Sequence, residues 1–475
     1  MTRCAAWLLP LLALAAIFAV RVLGPPDFLD KDQPRPIDYV VDAIAEGNWV
    51  VQRDAGGGVT SKPPLFTWMA AGSTLAFGPS RFALYLPCAL ALGALALLAF
   101  HLARRRLGSA AGLAAAMILV LSVDTQKAIA LARTDAVFAA SVGCAAWLAL
   151  LAWERGRGWW IFWAACGVVS IAKSPVGVVF AAAGLLAALW GRREADHRLP
   201  SSGWREHAAG VALMLAIAGG WFAWAVASLG QPVIDRMLGR ELIGHAVAND
   251  KGDPLWRTFH YPVLWFAGLF LPWSIALGAA LWRLLRSPPV SPRRRRFLRF
   301  MACWLAGGLL VLTFAPHKRM VLALPLLLPA CILAGSEVAR LLARVAWRRQ
   351  VLAWSAAATC LVGGIMAYHH LLRDHDGDTV AESRAVLTAA AELDRYAAAG
   401  VRTAYASGVA SPLRYFAHAH PPRVKAAEVA DRLASPGADA VAVAADAQVA
   451  TAAGRRRIAP GIDLVYDAEA QALLP

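Results

Sequence analysis

The feature that most constrains this chain is a series of apolar stretches, each close to the length of a membrane crossing and separated by short arginine-rich loops. A crossing needs about 20 mostly apolar residues. Stretches near that size cover residues 6–23, 81–101, 109–123, 135–153, 159–173, 175–190, 207–228, 260–282, 298–314, 320–342 and 350–369. They predict an all-α polytopic membrane protein with about 11–13 transmembrane helices. The bulk numbers agree, because 59% hydrophobic and 16% charged residues lie outside the balance of a water-soluble domain. Residues 6–23 follow Arg3 without a small-residue cleavage site, so an uncleaved first helix is expected rather than a removed signal.

The chain carries a formal net charge of +16, which in a less apolar protein would suggest nucleic acid. Here the arginines fall in alternate loops, and positive cytoplasmic loops account for them. Arg104 to Arg106 form one cluster, Arg155 and Arg157 a second, and Arg192, Arg193, Arg198 and Arg205 a third. Arg283, Arg286 and the run Arg293 to Arg296 form a fourth, and Arg344, Arg348 and Arg349 a fifth. With these inside, the segments 24–80, 124–134, 173–175, 229–259, 315–319 and everything after about 370 lie outside. The expected location is a bacterial inner membrane, with no nucleic-acid partner.

The outside segments hold the mixed charges. The first, 24–80, carries Asp27, Asp30, Asp32, Arg35, Asp38, Asp42, Glu46, Arg53, Asp54 and Lys62, and loops of that length are uncommon unless functional. Residues 371–475 change character: an apolar-periodic stretch at 381–398 precedes strand-like runs at 401–406 and 438–444. They predict a small extracytoplasmic α/β domain after a transmembrane domain spanning 1–370. The seven cysteines all sit in apolar stretches, without the spacing of a metal site or a disulfide framework.

Several short motifs recur in order along these segments. The first loop reads Asp32-Gln33-Pro34-Arg35, then Glu46-Gly47-Asn48-Trp49, then Ser61-Lys62-Pro63-Pro64-Leu65, then Phe77-Gly78. Ala132-Arg133-Thr134-Asp135, Lys173-Ser174-Pro175, Glu241 to His245, Leu271-Pro272-Trp273 and His317-Lys318-Arg319 follow. In this order they resemble the aminoarabinose-transferase and protein O-mannosyltransferase-like group of bacterial membrane glycosyltransferases, over roughly residues 6–345. The resemblance implies a GT-C type fold, in which amphipathic helices of the first external loop cover a cavity. There a polyprenyl-phosphate sugar, such as an undecaprenyl phosphate donor, gives its glycosyl group to a lipid A-like glycolipid, a glycan or a protein of the cell envelope.

On that resemblance Asp32 matches the aspartate that would orient or deprotonate the acceptor hydroxyl. Gln33 departs from the usual glutamate, which argues against two carboxylates or a metal resting on both positions. Arg35 would pair with Asp32 or touch the phosphate. Lys62, stiffened by two following prolines, suits a carrier phosphate, although a snorkelling interfacial lysine would look the same. Arg133 and Asp135 stand at the edge of a span, where charge is costly without a task or a partner, and Lys173 reads alike. Lys318 and Arg319 would be cations on the outer face, suited to an anion. Glu241 and His245 share a helix face and could hold a metal with one more partner, but a surface pair is commoner. No cofactor is required by the sequence, and a divalent metal is left open.

The expected reaction is an inverting transfer, with Asp32 and Asp135 as catalytic carboxylates and with Lys62, Arg35, Arg133, Lys318, Arg319 and Lys173 around the donor phosphate. A transporter or flippase of lipid-linked sugars is the alternative, though such proteins tend to carry their charges at the bilayer midplane in two related halves.

Overall fold

The computed structural model describes residues 7–30, 32–190, 203–244, 258–315, 320–344, 377–449 and 452–473. Among the described residues, five helices are long and apolar enough to cross a membrane, and a bent pair makes a sixth. Five shorter apolar helices accompany them. Helix α1 (Leu8–Leu23) leads into α2 (Pro34–Ala45), and α3 (Leu65–Phe77) folds back against α4 (Arg81–Leu107). Helices α5 (Ser109–Leu121), α6 (Asp135–Arg155), α7 (Trp159–Ala172) and α8 (Gly177–Ala182) follow. Next come α9 (Trp204–Leu229) and α10 (Ile234–Gly244), the latter wound with wide π-type turns. Helices α11 (Tyr261–Leu269), α12 (Trp273–Arg286), α13 (Pro292–Phe314) and α14 (Leu327–Arg344) complete the bundle. The expected span at 350–369 lies outside the described residues.

Long α4 gives the bundle its direction. Ser80 caps its start by accepting from the Ala83 N–H at 3.2 Å. Arg104 to Arg106 close its last turn, where cations oppose the negative end of the helix dipole. At that arginine end Arg106 bridges to Glu154 on α6, at 2.7 Å for one of its two bonds. Arg294 at the start of α13 donates to the carbonyls of Arg106 and Leu107 at 3.1 Å each. Arg283 reaches Glu337 on α14 at 3.3 Å. Arginines of the first and fourth clusters therefore meet at the end of the bundle where α6 closes on Arg155 of the second, opposite the first residue of α6, Asp135.

Packing between helices relies on small residues, because lipid offers no hydrophobic drive for helices to associate. Gly112 on α5 lets that helix approach the Phe100 carbonyl of α4, and Gly335 on α14 does the same against the Ala115 backbone of α5. By contrast α9 keeps a largely exposed apolar surface, including Leu215 and Trp224, that suits lipid.

Two expectations are corrected here. The span expected at 260–282 is not one rod: α11 and α12 meet at 116°, with Pro272 at the corner removing a backbone donor and restricting Leu271. The helices of the first loop are not all amphipathic. Helix α2 is, with Ile37, Val40, Val41 and Ala43 buried, whereas α3 is mostly apolar, carries no charge and leaves Leu75 and Phe77 exposed.

Residues 377–473 form the small α/β unit expected from the sequence. Helix α15 (Gly377–Ala398) packs on a five-stranded sheet ordered β2-β1-β3-β5-β4. Strands β1 (Arg402–Ala406) and β3 (Asp439–Ala444) match the strand-like runs in the sequence. They pair in parallel, as do β1 and β2 (Arg423–Val424), while β5 (Ile462–Tyr466) runs antiparallel to β3 and to β4 (Gly454–Ala459). Strand β4 carries Arg455 and Arg457, whose guanidinium groups converge on Asp463 of β5 and so disguise it as a polar run.

A Cβ at Gly335 would stand 2.6 Å from the Ala115 nitrogen, and backbone cannot yield as a side chain does. Gly335→Val is therefore expected to destabilise the bundle by about 2 kcal/mol. The measurement is the thermal midpoint of the detergent-solubilised protein, which should fall by several degrees.

Candidate functional site

The chain leaves α1 through Gly24-Pro25-Pro26, and the turn that follows is fixed by half-buried arginines. Arg81 donates to the carbonyls of Gly24, Arg21 and Pro25 at 2.6, 2.9 and 3.1 Å, and Arg21 pairs with Asp27 at 2.9 Å. Gln33, only 1% exposed, then works as a two-sided clip. Its Nε2 donates to the Asp27 carbonyl at 2.9 Å, and its Oε1 accepts from the Ala132 N–H at 3.2 Å. An ionised glutamate could only accept, so the amide suits this position for a reason unrelated to metal binding.

That clip brings Asp32 beside the turn ahead of α6. Asp32 is solvent-exposed and accepts from Arg133 at 3.2 Å. Arg133 also lies 3.7 Å from Asp135, and Asp135 pairs with Lys173 from the break between α7 and α8. The result is an alternating chain, Asp32, Arg133, Asp135, Lys173, whose most exposed member is Asp32 and whose most buried is Asp135. A buried carboxylate flanked by two cations recovers part of its desolvation cost, and removing either cation would strand it. Cys88 on α4 supports the turn, its thiol lying 3.2 and 3.4 Å from the carbonyls of Leu131 and Arg133.

A second cluster forms around Lys62. Pro63 and Pro64 lead directly into α3, and Thr60 Oγ1 donates to the Lys62 carbonyl at 3.0 Å, so the lysine backbone is fixed on both sides. Its ammonium pairs with Glu241 of α10. Glu241 is thus an ion-pair partner of Lys62, and His245, paired with it in the sequence as a metal candidate, lies outside the described residues. Among the described residues no group of three His, Cys, Asp or Glu side chains converges as a metal site would require. The loop before Lys62 is held by indole donors: Trp68 Nε1 to the Trp49 carbonyl at 2.7 Å, and Trp221 Nε1 to the Val50 carbonyl at 3.2 Å. Lys318 and Arg319 lie outside the described residues.

Arg35 does not pair with Asp32, as the sequence suggested it could. Arg133 takes that place, because the Gln33 clip turns Asp32 toward Ala132 while Arg35 follows the first turn of α2. Arg35 is exposed; burial pushes the Tyr39 hydroxyl up, and Arg236 of α10 and Arg35 oppose that shift. A cation in the first turn of a helix opposes the helix dipole and is offset when an anion joins it. Arg236 went unread in the sequence; its signal is a cation in an otherwise outward loop, against the positive-inside bias.

On its far side α2 faces the C-terminal unit across a cavity of about 240 Å³. Asp38, Asp42 and Glu46 project there at four-residue intervals, opposite Tyr405, Arg414 and Arg423. Burial pushes the Asp38 carboxyl up to about 6, against the hydrogen bonds it accepts from Ser411 and the Ala55 N–H. A folded-state pKa above the unfolded value means that stability is complete below the usual aspartate range and is lost as pH rises through about 6. Asp38→Asn removes that penalty and is expected to raise the thermal midpoint at pH 8 while leaving it nearly unchanged at pH 4. Midpoints for both proteins across pH 4 to 8 check this.

Fold and site together define a polytopic membrane protein with two cation-rich clusters at one end of its bundle. Residues 61–224 match the family model described as dolichyl-phosphate-mannose-protein mannosyltransferase. The chain is 27% identical over 353 residues to the undecaprenyl phosphate-alpha-4-amino-4-deoxy-L-arabinose arabinosyl transferase 2 of Pseudomonas fluorescens (strain Pf0-1), covering 70% of this chain and 60% of that one. It is 30% identical over 176 residues to the enzyme of that name from Sodalis glossinidius (strain morsitans), covering 34% of this chain and 32% of the relative. The matched regions thus span from about a third to 60% of these relatives' own length. In structure, the chain superposes on ArnT from Cupriavidus metallidurans bound to undecaprenyl phosphate with a TM-score of 0.67 at 16% identity. That match covers 98% of this chain and 97% of the other. The fold is therefore the GT-C fold, and the resemblance read from the loop motifs holds in both sequence and architecture.

Proposed function

We propose that this chain is an inner-membrane glycosyltransferase that moves a sugar from a polyprenyl-phosphate donor to an extracytoplasmic acceptor. The observation that carries the reading is the pairing of Lys62 and the Asp32-Arg133-Asp135-Lys173 chain at one end of a GT-C bundle whose other end gathers arginines. The positive-inside bias makes the arginine end cytoplasmic and the site extracytoplasmic. Residues 1–370 are then the transferase domain and 371–475 an extracytoplasmic unit. The structural relative's bound undecaprenyl phosphate supports a lipid phosphate as the leaving group.

In this reading Lys62, helped by Arg35 and Arg236, neutralises the carrier phosphate, while Arg133 sets the Asp32 carboxylate. The acceptor oxygen attacks the anomeric carbon from the face opposite the phosphate, and its proton passes to Asp32. The bond from the anomeric carbon to the phosphate oxygen breaks, polyprenyl phosphate leaves with the electron pair, and the configuration inverts. Fixed cations aimed at a developing phosphate charge are where such a site gains most. Asp135 and Lys173 hold Arg133 in place from below, and Glu241 covers Lys62 until the phosphate arrives. Lys318 and Arg319 remain in the proposal as further phosphate contacts. The acceptor is a glycolipid, a glycan or a protein.

Two variants separate the roles. Lys62→Ala should weaken undecaprenyl phosphate binding by about 10–100-fold, the worth of one charge-assisted contact. Asp32→Asn should leave that binding intact and lower transfer by about 10²–10⁴-fold. Binding is read by titration in nanodiscs, and transfer by mass analysis of envelope glycolipids in a complemented deletion strain. Full transfer by both variants would overturn the assignment.

A further inference from the structure

The C-terminal unit reaches into the first loop with three consecutive residues. They lie on the short helix α16 (Leu413–Phe416), which packs against α2. Arg414 pairs with Glu46 at the C-terminal end of α2. Tyr415 is fully buried, and its hydroxyl lies 2.8 Å from Thr74 Oγ1 on α3 and 3.2 Å from the Ser80 carbonyl at the start of α4. The Phe416 ring stands 4.5 Å from that of Phe28, itself fully buried.

Phe28 lies four residues before Asp32, and Gln33 lies one residue after it. Asp32 is thus held between two anchors: the Phe28 ring beneath Phe416, and the Gln33 clip on Ala132. Its own carboxylate is exposed and accepts from Arg133, and the backbone before and after it is set by those two anchors. One anchor belongs to the bundle and the other to the C-terminal unit. Arg423 adds a bond to the Ala55 carbonyl, so the same unit also holds the loop beyond α2.

We propose that Arg414, Tyr415 and Phe416 are positioning residues for transfer, through which the C-terminal unit clamps Phe28 and α2 and thereby fixes Asp32 against Arg133. The role in transfer rests on the reading of Asp32 given above, whereas the clamp itself does not. Lys62 lies on a different segment, held by Thr60, its prolines and α10. Loosening the clamp should therefore affect the chemical step more than phosphate binding, to which α2 contributes only Arg35.

The test uses the full chain in nanodiscs as wild type, Phe28→Ala, Phe416→Ala, the double variant, and the milder Phe416→Leu and Tyr415→Phe. Backbone hydrogen exchange is followed, with undecaprenyl phosphate as the binding probe. Each single alanine variant is expected to speed exchange across residues 28–46 by about tenfold, and the double variant by no more than the stronger single, because both remove one contact. Phe416→Leu should fall between wild type and alanine. Exchange in α4 and α6 should stay within about twofold, and kcat for transfer should fall by about tenfold, as a small misplacement of a reacting group predicts, while affinity for undecaprenyl phosphate falls by clearly less. Unchanged exchange at 28–46, effects that multiply in the double variant, or loosening throughout the bundle would overturn the clamp. A wild type that binds undecaprenyl phosphate and shows the coupled exchange but transfers no sugar would instead overturn the glycosyltransferase reading and leave the clamp standing.

Discussion

The structure depends on how charges at the edge of an apolar bundle find partners. Asp135 begins a membrane-crossing helix and is almost fully buried, a position that a carboxylate occupies at a cost of several kcal/mol unless cations meet it. Arg133 and Lys173 meet it from two other segments, and that requirement draws the turn before α6 and the break after α7 together. Arg133 has capacity left for Asp32, which the Gln33 clip brings beside it from the first loop. The site is thus a consequence of pairing buried charge, built from segments more than a hundred residues apart in sequence.

Around that chain the loop is pinned by neutral devices. Gln33, Arg81, Trp68 and Trp221 each donate to backbone carbonyls at the loop's non-helical stretches, which have no ladder of their own to satisfy them. The C-terminal unit adds a buried tyrosine and an aromatic pair. The loop is held from the bundle side and from the solvent side at once, which leaves Asp32 exposed yet fixed. The same logic explains Lys62, whose backbone is held locally while its ammonium keeps a carboxylate partner that a phosphate could replace.

Much of this was legible in the sequence. Apolar length and arginine bias gave the bundle and its two unlike ends, because burial and charge act on composition alone. The order of short motifs pointed to Asp32, Lys62, Arg133, Asp135 and Lys173, which the fold gathers into two clusters. What escaped were features that depend on direction. The pairing of Asp32 with Arg133 rather than Arg35 follows from the Gln33 clip, and a glutamine gives no sign of what its amide will meet. The corner between α11 and α12 was hidden in an apolar run long enough to be straight. Strand β4 was masked by its arginines, which serve a single aspartate. The Arg414-Tyr415-Phe416 contact has no signature in a chain read without its partners.

The most direct test of the central claim is a cryo-electron microscopy map of the full chain in nanodiscs with undecaprenyl phosphate added. The account predicts phosphate density within ion-pair distance of the Lys62 ammonium, at the end of the bundle that holds Asp32 and Arg133, with Glu241 displaced from Lys62. Phosphate density at the arginine end, beside Arg106 or Arg294, with the pair between Lys62 and Glu241 intact, would contradict it.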